Sequence, residues 1–365
     1  MTKTIPWWQP QLTGKESLNI QKVLDANYLN EGKFTEEFEI KIAELLRVKY
    51  AVAVTNGTAA LFLALAAAGI TYNDEVIIPD ISFIATANAV KLAGATPVLV
   101  DVEKNSLTLD PQLFEKAITK RTKAVIPVHL SGRAADMKNI SKIAAKYHIV
   151  VIEDAAEAFM SKYSGKFLGT LGDLGCFSFS PNKTITTGQG GIIVTNNLTL
   201  ATKLRQLKDH GRATRGTGGE DEHPVVGYNF KLTNLQAAVG LAQLDALKKR
   251  LSRQKRNYLL YKKFLDGIHT IKLLPFNIGH DEIPQWVDAY AEKRDDLISF
   301  LKTKKIFCQP FWHPLHTQIP YHLPNIRFPV SSKITPHLLW LPSAFTLKDK
   351  DVFTVCQMVK IFYST

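Results

Sequence analysis

Five short apolar runs, Ala51–Val54, Glu75–Ile78, Pro97–Asp101, Ala124–Val128 and Ile149–Ile152, alternate with helical patterns at Thr58–Ala68, Phe83–Leu92, Pro111–Ile118 and Ala135–Lys146. Runs this apolar leave a strand no face for water, so both sides of the sheet must be covered. Strand–helix alternation that is buried on both faces predicts an α/β fold with a mostly parallel sheet between helix layers. Such a sheet also fixes where a ligand binds, in the crevice beyond the carboxyl ends of the strands.

On either side of this block the pattern changes. Residues 1–14 read as irregular. A helix follows over Lys15–Ala26, then a turn at Asn30-Glu31-Gly32 and a second helix with Thr35 as its N-cap. Two further strands, Cys176–Ser180 and Gly191–Asn196, flank a glycine-rich segment. From Leu232 to about Phe264 the periodicity predicts one long helix. The domain boundary is placed within it, giving a large domain over 1–245 and a smaller C-terminal α/β domain over 246–365. The latter holds a strand at Trp286–Ala291 and a helix at Arg294–Lys302.

Composition narrows the class. The 365 residues are 45% hydrophobic and 21% charged, and no apolar run approaches the ~20 residues of a membrane-spanning helix. The N-terminus lacks the apolar core of a secretory leader. Cys176, Cys308 and Cys356 are scattered without metal-ligand spacing, so no metal site is expected and a reducing cytoplasm is. The net charge of +12 is concentrated in Lys248–Lys263. That run suits an acidic substrate or nucleic acid, or simply a solvated helix face, and the last is the reading adopted.

The strand ends carry the chemistry. After the first strand, Thr55-Asn56-Gly57-Thr58 turns into a helix start, which is either a plain cap or a phosphate cradle. After Glu75–Ile78 comes Pro79-Asp80-Ile81-Ser82-Phe83, with Phe83 either core or a ring cover. After Ile149–Ile152, the pair Glu153-Asp154 offers a carboxylate that caps a helix or meets a cation. The segment Gly169–Gly191 holds Lys183 among hydroxyl residues and glycines. A desolvated lysine at such a turn can form a Schiff base with a carbonyl compound. An anion cradle, an aromatic, a carboxylate and a lysine at one rim are the parts that hold pyridoxal phosphate.

The motifs Glu153-Asp154-Ala155-Ala156, Ser178-Phe179-Ser180-Pro181-Asn182-Lys183 and Thr186-Thr187-Gly188-Gln189-Gly190-Gly191 resemble those of the DegT-type nucleotide-sugar aminotransferases. Thr55–Thr58, Val128–Gly132, Gly227–Ala238 and Pro314-Leu315-His316 match in order and spacing, so the likeness covers nearly the whole chain. The resemblance implies an aspartate-aminotransferase-like fold (fold type I) and a homodimer with active sites at the subunit interface. It implies catalytic roles for Lys183, bonded to the cofactor, and Asp154, facing the pyridine nitrogen. Phe83 would cover the ring and Glu157 would lie near its hydroxyl. Gly57, Thr58 and Ser178 would bind the phosphate, with Asn229 reaching it from the other subunit. Lys231, Arg212 and His316 are the candidate substrate contacts.

The implied reaction moves an amino group from L-glutamate to a nucleotide-diphosphate 4-keto-6-deoxyhexose. Alternatives are amination at C3, or a non-catalytic regulator that binds the cofactor. Ser180, Gln189, Gln309 and Lys231 depart from the usual histidine, glutamate, arginine and arginine, and they bear on the sugar pocket more than on the cofactor site.

Overall fold

The computed structural model describes residues 4–214 and 221–364. The first three residues of the irregular N-terminal segment therefore lie outside it. Two helices, α1 (Glu16–Asp25) and α2 (Lys33–Leu46), precede the alternating block. The block runs β1 (Tyr50–Val54), α3 (Gly57–Ala67), β2 (Glu75–Pro79), α4 (Ala85–Leu92), β3 (Thr96–Val100), α5 (Pro111–Ala117), β4 (Thr122–Val125), α6 (Met137–Tyr147) and β5 (Val150–Asp154). A small hairpin, β6 (Lys162–Tyr163) and β7 (Lys166–Phe167), leads to β8 (Leu174–Ser178), β9 (Gly191–Thr195) and α7 (Leu198–Lys208).

Among the described residues these strands form a seven-stranded sheet in the order β1-β9-β8-β5-β4-β2-β3. Neighbours from β8 to β3 pair in parallel, and β9 alone runs against both β1 and β8. The expected parallel sheet is thus present, with one reversed strand. That strand sets the site's geometry, because its register places Gly191 opposite both Val54 and Ser178. The ends of β1 and β8 are brought level across it. A Cβ on Gly191 would fall 2.4 Å from the Asn56 carbonyl oxygen, so only glycine lets the chain leaving β1 pass this close.

Two expectations need correction. The predicted helix over Leu232–Phe264 is two helices, α8 (Asn234–Leu244) and α9 (Leu247–Phe264), parted at Asp245–Ala246. Thr35 is not the cap of α2. That helix starts two residues earlier with Gly32 as N-cap, and Thr35 is buried inside its first turn. Its amide donates to Asn234 Oδ1 (3.2 Å), so a residue some two hundred positions away does the work a local cap would do.

A second sheet, β10-β11-β13-β12, is built from β10 (Ile271–Leu273), β11 (Val287–Ala291), β12 (Gln309–Pro310) and β13 (Leu338–Leu341). Helices α9, α10 (Arg294–Thr303) and α11 (Asp349–Ser364) cover it around Tyr261, Leu297, Leu301 and Val355. The chain crosses between the two cores at both ends. Ile5 packs into this smaller core, while Leu315, Tyr321 and Phe328 bury in the core of the seven-stranded sheet.

The basic run is solvated at Lys248, Lys249, Lys262 and Lys263 and tied down at its centre. Arg250 is buried and donates to Thr184 O and Gln11 O, Arg253 and Arg256 pair with Asp349, and Lys255 pairs with Asp281. Among the described residues no helix is long and apolar enough to cross a membrane.

Asn234 generates a stability test. It is 3% exposed, and its Nδ2 also donates to Tyr28 O (3.0 Å). Asn234→Ala strands one buried donor and one acceptor, so we expect a loss of about 1–3 kcal/mol in urea unfolding at fixed protein concentration. A loss below about 0.5 kcal/mol would show that these groups do not hold α1 and α2 to α8.

Candidate functional site

The carboxyl ends of β1, β2, β5 and β8 open on a cavity of about 670 Å³. Gly57, Thr58, Phe83, Asp154, Glu157, Ser178 and Lys183 all line it. Seven residues spread over more than a hundred positions are brought to one wall.

Alternation along β5 separates the acidic pair, because successive side chains point to opposite faces. Glu153 turns away from the cavity and is fully buried. It accepts from the Gly169, Leu171 and Gly172 amides (2.8, 2.6 and 2.6 Å) and faces His129 Nε2 (2.8 Å). The first glycines of the glycine-rich segment therefore wrap a structural carboxylate. Asp154 turns toward the cavity, accepting from Thr86 Oγ1 (2.8 Å) and from the Ala156 amide (3.2 Å).

Burial pushes the Asp154 carboxyl above its ordinary range, with Thr86, the Ala156 amide and the Lys183 charge pulling the other way. Glu157, buried three residues on, is pushed up for the same reason and held back chiefly by Lys183. Its two oxygens accept from Lys183 Nζ (3.2 Å) and the Ser131 amide (2.9 Å). Two buried carboxylates thus share one lysine, and a second cation beside Asp154 would complete the charge balance.

These residues fit pyridoxal phosphate. Helix α3 starts at Gly57 with Asn56 as N-cap, its Oδ1 accepting from Ala59 N (2.8 Å), which leaves the first two amides and the positive dipole end for an anion. A Cβ on Gly57 would fall 2.9 Å from Ser178 Cβ, so glycine keeps that hydroxyl and the helix start open to the same point. A protonated ring nitrogen beside Asp154 would supply that cation. Phe83 is 55% exposed at the cavity rim, as a ring cover would be and a core residue would not.

The remaining candidates fall elsewhere. Asn229 is exposed and does not line the cavity; its backbone bridges to Asp209. Lys231 and Arg212 also gather at Asp209 as ion pairs, so these three form one cluster outside the cavity of their own chain. His316 is fully buried, with Nδ1 2.6 Å from Asp80 Oδ2, Nε2 3.0 Å from Asn325 Oδ1 and Phe328 stacked at 4.5 Å. It has no face on the cavity, so its expected substrate contact is corrected to a tie between the loop after β2 and the C-terminal segment.

Sequence reading missed Thr86, Ser131 and the tryptophans. Thr86 carried a weak signal, lying one helical turn beyond Ser82, whose hydroxyl it meets at 2.6 Å. Trp7, Trp286, Trp312 and Trp340 line the cavity, four of the chain's five tryptophans, yet they are scattered over more than three hundred positions.

The profile of the DegT/DnrJ/EryC1/StrS aminotransferase family matches residues 10–360. A GDP-perosamine synthase of Escherichia coli O157:H7 is 39% identical over 367 residues, covering 99% of each chain. DesV of S. venezuelae, solved in complex with a ketimine intermediate, superposes with a TM-score of 0.91 at 33% identity, covering 96% of this chain and 95% of its own. A Streptococcus pneumoniae protein solved in PLP and PMP forms superposes at 0.93 with 25% identity, covering 99% of each chain. With its fold, its lysine–carboxylate site and these likenesses, the chain belongs to the DegT/DnrJ/EryC1/StrS aminotransferase family, enzymes that use pyridoxal phosphate.

Proposed function

We propose that this protein transfers the amino group of L-glutamate to C4 of a nucleotide-diphosphate 4-keto-6-deoxyhexose. The products are 2-oxoglutarate and a 4-amino-4,6-dideoxy sugar nucleotide of the perosamine type, a building block for cell-surface glycans such as O-antigen. The observation that carries the reading is the convergence of Lys183, Glu157, Asp154 and the Gly57–Ser178 cradle on one cavity. The name of the 39% identical relative supports the sugar class, and the net charge of +12 suits a diphosphate.

Pyridoxal phosphate, when bound, supplies a carbonyl for the amine and a ring that withdraws electrons from the carbon losing its proton. The chain's residues do the rest. The α3 amides of Gly57 and Thr58 with Ser178 would hold the phosphate, Phe83 would keep water from the ring, and Asp154 would keep a proton on the ring nitrogen. Lys183 Nζ takes the proton from glutamate Cα and later returns one to the sugar carbon that gains nitrogen. Glu157, within hydrogen-bond reach of Nζ, holds the amine in place between those steps.

The cluster of exposed Asn229 with half-buried Lys231 and Arg212 suits a homodimer in which each chain offers these groups to its partner's cavity. Their absence from the lining of their own chain's cavity is the support for that arrangement.

Three tests follow. The function test offers GDP-, dTDP- and UDP-linked 4-keto-6-deoxyhexoses and a 3-keto isomer with glutamate, and identifies the amino sugar. Amination at C4 that Lys183→Ala and Lys183→Arg both abolish is the expected result, since a guanidinium stays protonated and forms no imine. Product at C3 alone removes the C4 claim, and bound cofactor without turnover favours the regulatory alternative.

Asp154→Asn should lower turnover by roughly a hundredfold or more. The same change should raise the melting temperature of the cofactor-free protein at pH 8. The folded-state pKa of Asp154 lies above its unfolded value, so the ionised carboxylate costs stability at any pH above both. That gain should shrink as pH falls and Asp154 takes up its proton. A lower melting temperature at pH 8 would contradict the electrostatic account.

The dimer is tested by mixing Asn229→Ala chains with Lys183→Ala chains. Hybrids carry one site of two with both residues intact, so on equal mixing with full exchange about a quarter of wild-type activity should return. No recovery despite demonstrated subunit exchange would show that Asn229 acts in its own subunit or not at all.

A further inference from the structure

Gln285 stands two residues before β11, is 2% exposed, and reaches the lysine from two sides. Its side chain brackets the main chain at Lys183. Nε2 donates to Asn182 O (2.9 Å) and Oε1 accepts from Thr184 Oγ1 (2.6 Å). One amide therefore holds the carbonyl before the lysine and the hydroxyl after it. A carbonyl can only accept, which fixes the orientation of the amide. The loop has other ties as well. Gln254 Nε2 donates to Thr184 Oγ1 (3.2 Å), Arg250 donates to Thr184 O (3.0 Å), and the Lys183 amide donates to Ser180 O (3.1 Å).

The backbone of Gln285 reaches the amine end. Its amide donates to Ser131 O (2.8 Å). Ser131 holds φ at 53°, in the left-handed region that a residue with a side chain seldom adopts, and its own amide donates to Glu157 Oε2 (2.9 Å). Glu157 Oε1 in turn accepts from Lys183 Nζ (3.2 Å). The next residue, Trp286, places its ring centroid 5.0 Å from the same Nζ. We infer that Gln285 is a positioning residue for Lys183, fixing where Nζ stands for its bond to the cofactor. This rests on the role proposed above for Lys183. Because the remaining ties keep the loop folded, what Gln285 adds is precision at Nζ, which lowers the ordering cost of forming that bond.

The experiment separates holding the cofactor from bonding to it. Pyridoxal phosphate carries an aldehyde that condenses with Lys183 Nζ and releases water. Pyridoxamine phosphate carries an amine at that carbon and forms no such bond. Holoenzyme is equilibrated with mixtures of the two and freed of unbound cofactor by gel filtration. The bound amounts, measured after acid release, give the preference for pyridoxal phosphate. Gln285→Met, of similar length but without the amide, should lower that preference about tenfold. A merely structural role would weaken both cofactors alike and leave the preference unchanged. Thr184→Val should lower it by about threefold to tenfold, and Thr184→Ser, which keeps the hydroxyl, should stay within about twofold of wild type. That pair decides the matter if Gln285→Met does not fold. Lys183→Ala removes the bond itself and sets the scale. If Lys183→Ala lowers the preference while Gln285→Met and Thr184→Val leave it unchanged, this assignment alone falls. If Lys183→Ala leaves it unchanged, the proposed role of the lysine falls and this assignment with it.

Discussion

The site depends on two carboxylates held away from water. Asp154 and Glu157 are 6% and 5% exposed, and burial raises the proton affinity of both. A buried charge is tolerated only where hydrogen bonds and opposite charge offset the loss of water. Thr86, the Ala156 amide, the Ser131 amide and Lys183 supply that offset here. Each of these partners comes from a different element, so the two carboxylates oblige α4, the turn after β4 and the lysine loop to meet at the end of β5. Burial still outweighs these partners at both carboxylates, and a cationic ring nitrogen beside Asp154 would add to the offset.

The reversed strand β9 is the mechanical counterpart of that electrostatic demand. A parallel strand in its place would enter the sheet from the other end and carry the lysine loop away from the rim. Running antiparallel between β1 and β8, β9 starts at Gly191, level with Val54 and Ser178. The loop that precedes it is then held over the cavity by contacts from the second sheet and the N-terminal segment. Gln285 Nε2 donates to Asn182 O (2.9 Å), Gln285 Oε1 accepts from Thr184 Oγ1 (2.6 Å), and Trp8 Nε1 donates to Pro181 O (3.1 Å). Lys183 is therefore positioned by both halves of the molecule, which ties its reach to how the two cores pack.

Much was legible because it is local or periodic. Strands buried on both faces read as apolar runs, and α3 announces itself through Asn56 and the small residues after it. Lys183, Asp154 and Gly57 stand out because glycine density and strand-end position are properties of neighbouring residues. The errors share one cause, which is that a distant group took over a local duty. Thr35 looked like a cap, but Asn234 satisfies its amide and lets α2 begin at Lys33. The helix from Leu232 looked continuous because helical periodicity runs through Asp245–Ala246, where α8 ends; Leu247 and Leu251 of α9 still pack in the same core as Leu241, and α9 joins the smaller core only at Tyr258. The basic run is solvated at Lys248, Lys249, Lys262 and Lys263, but Arg250 within it is spent on backbone carbonyls of the lysine loop and the N-terminal segment.

Sequence alone determined the class of fold and the strand ends and glycine-rich loop at which Lys183 and the acidic pair Glu153-Asp154 stand, since each is written in periodicity, glycine placement or short motifs. Only the tertiary structure decided which acid of Glu153-Asp154 faces the cavity, that His316 is sealed against Asp80, and that Asn229, Lys231 and Arg212 collect at Asp209 outside their own site. It alone assembled the tryptophan wall from positions 7, 286, 312 and 340. The physical reason is that side-chain partners across a sheet or between cores are chosen by packing and by the need to satisfy buried polar groups. Neither leaves a mark in the spacing of residues along the chain.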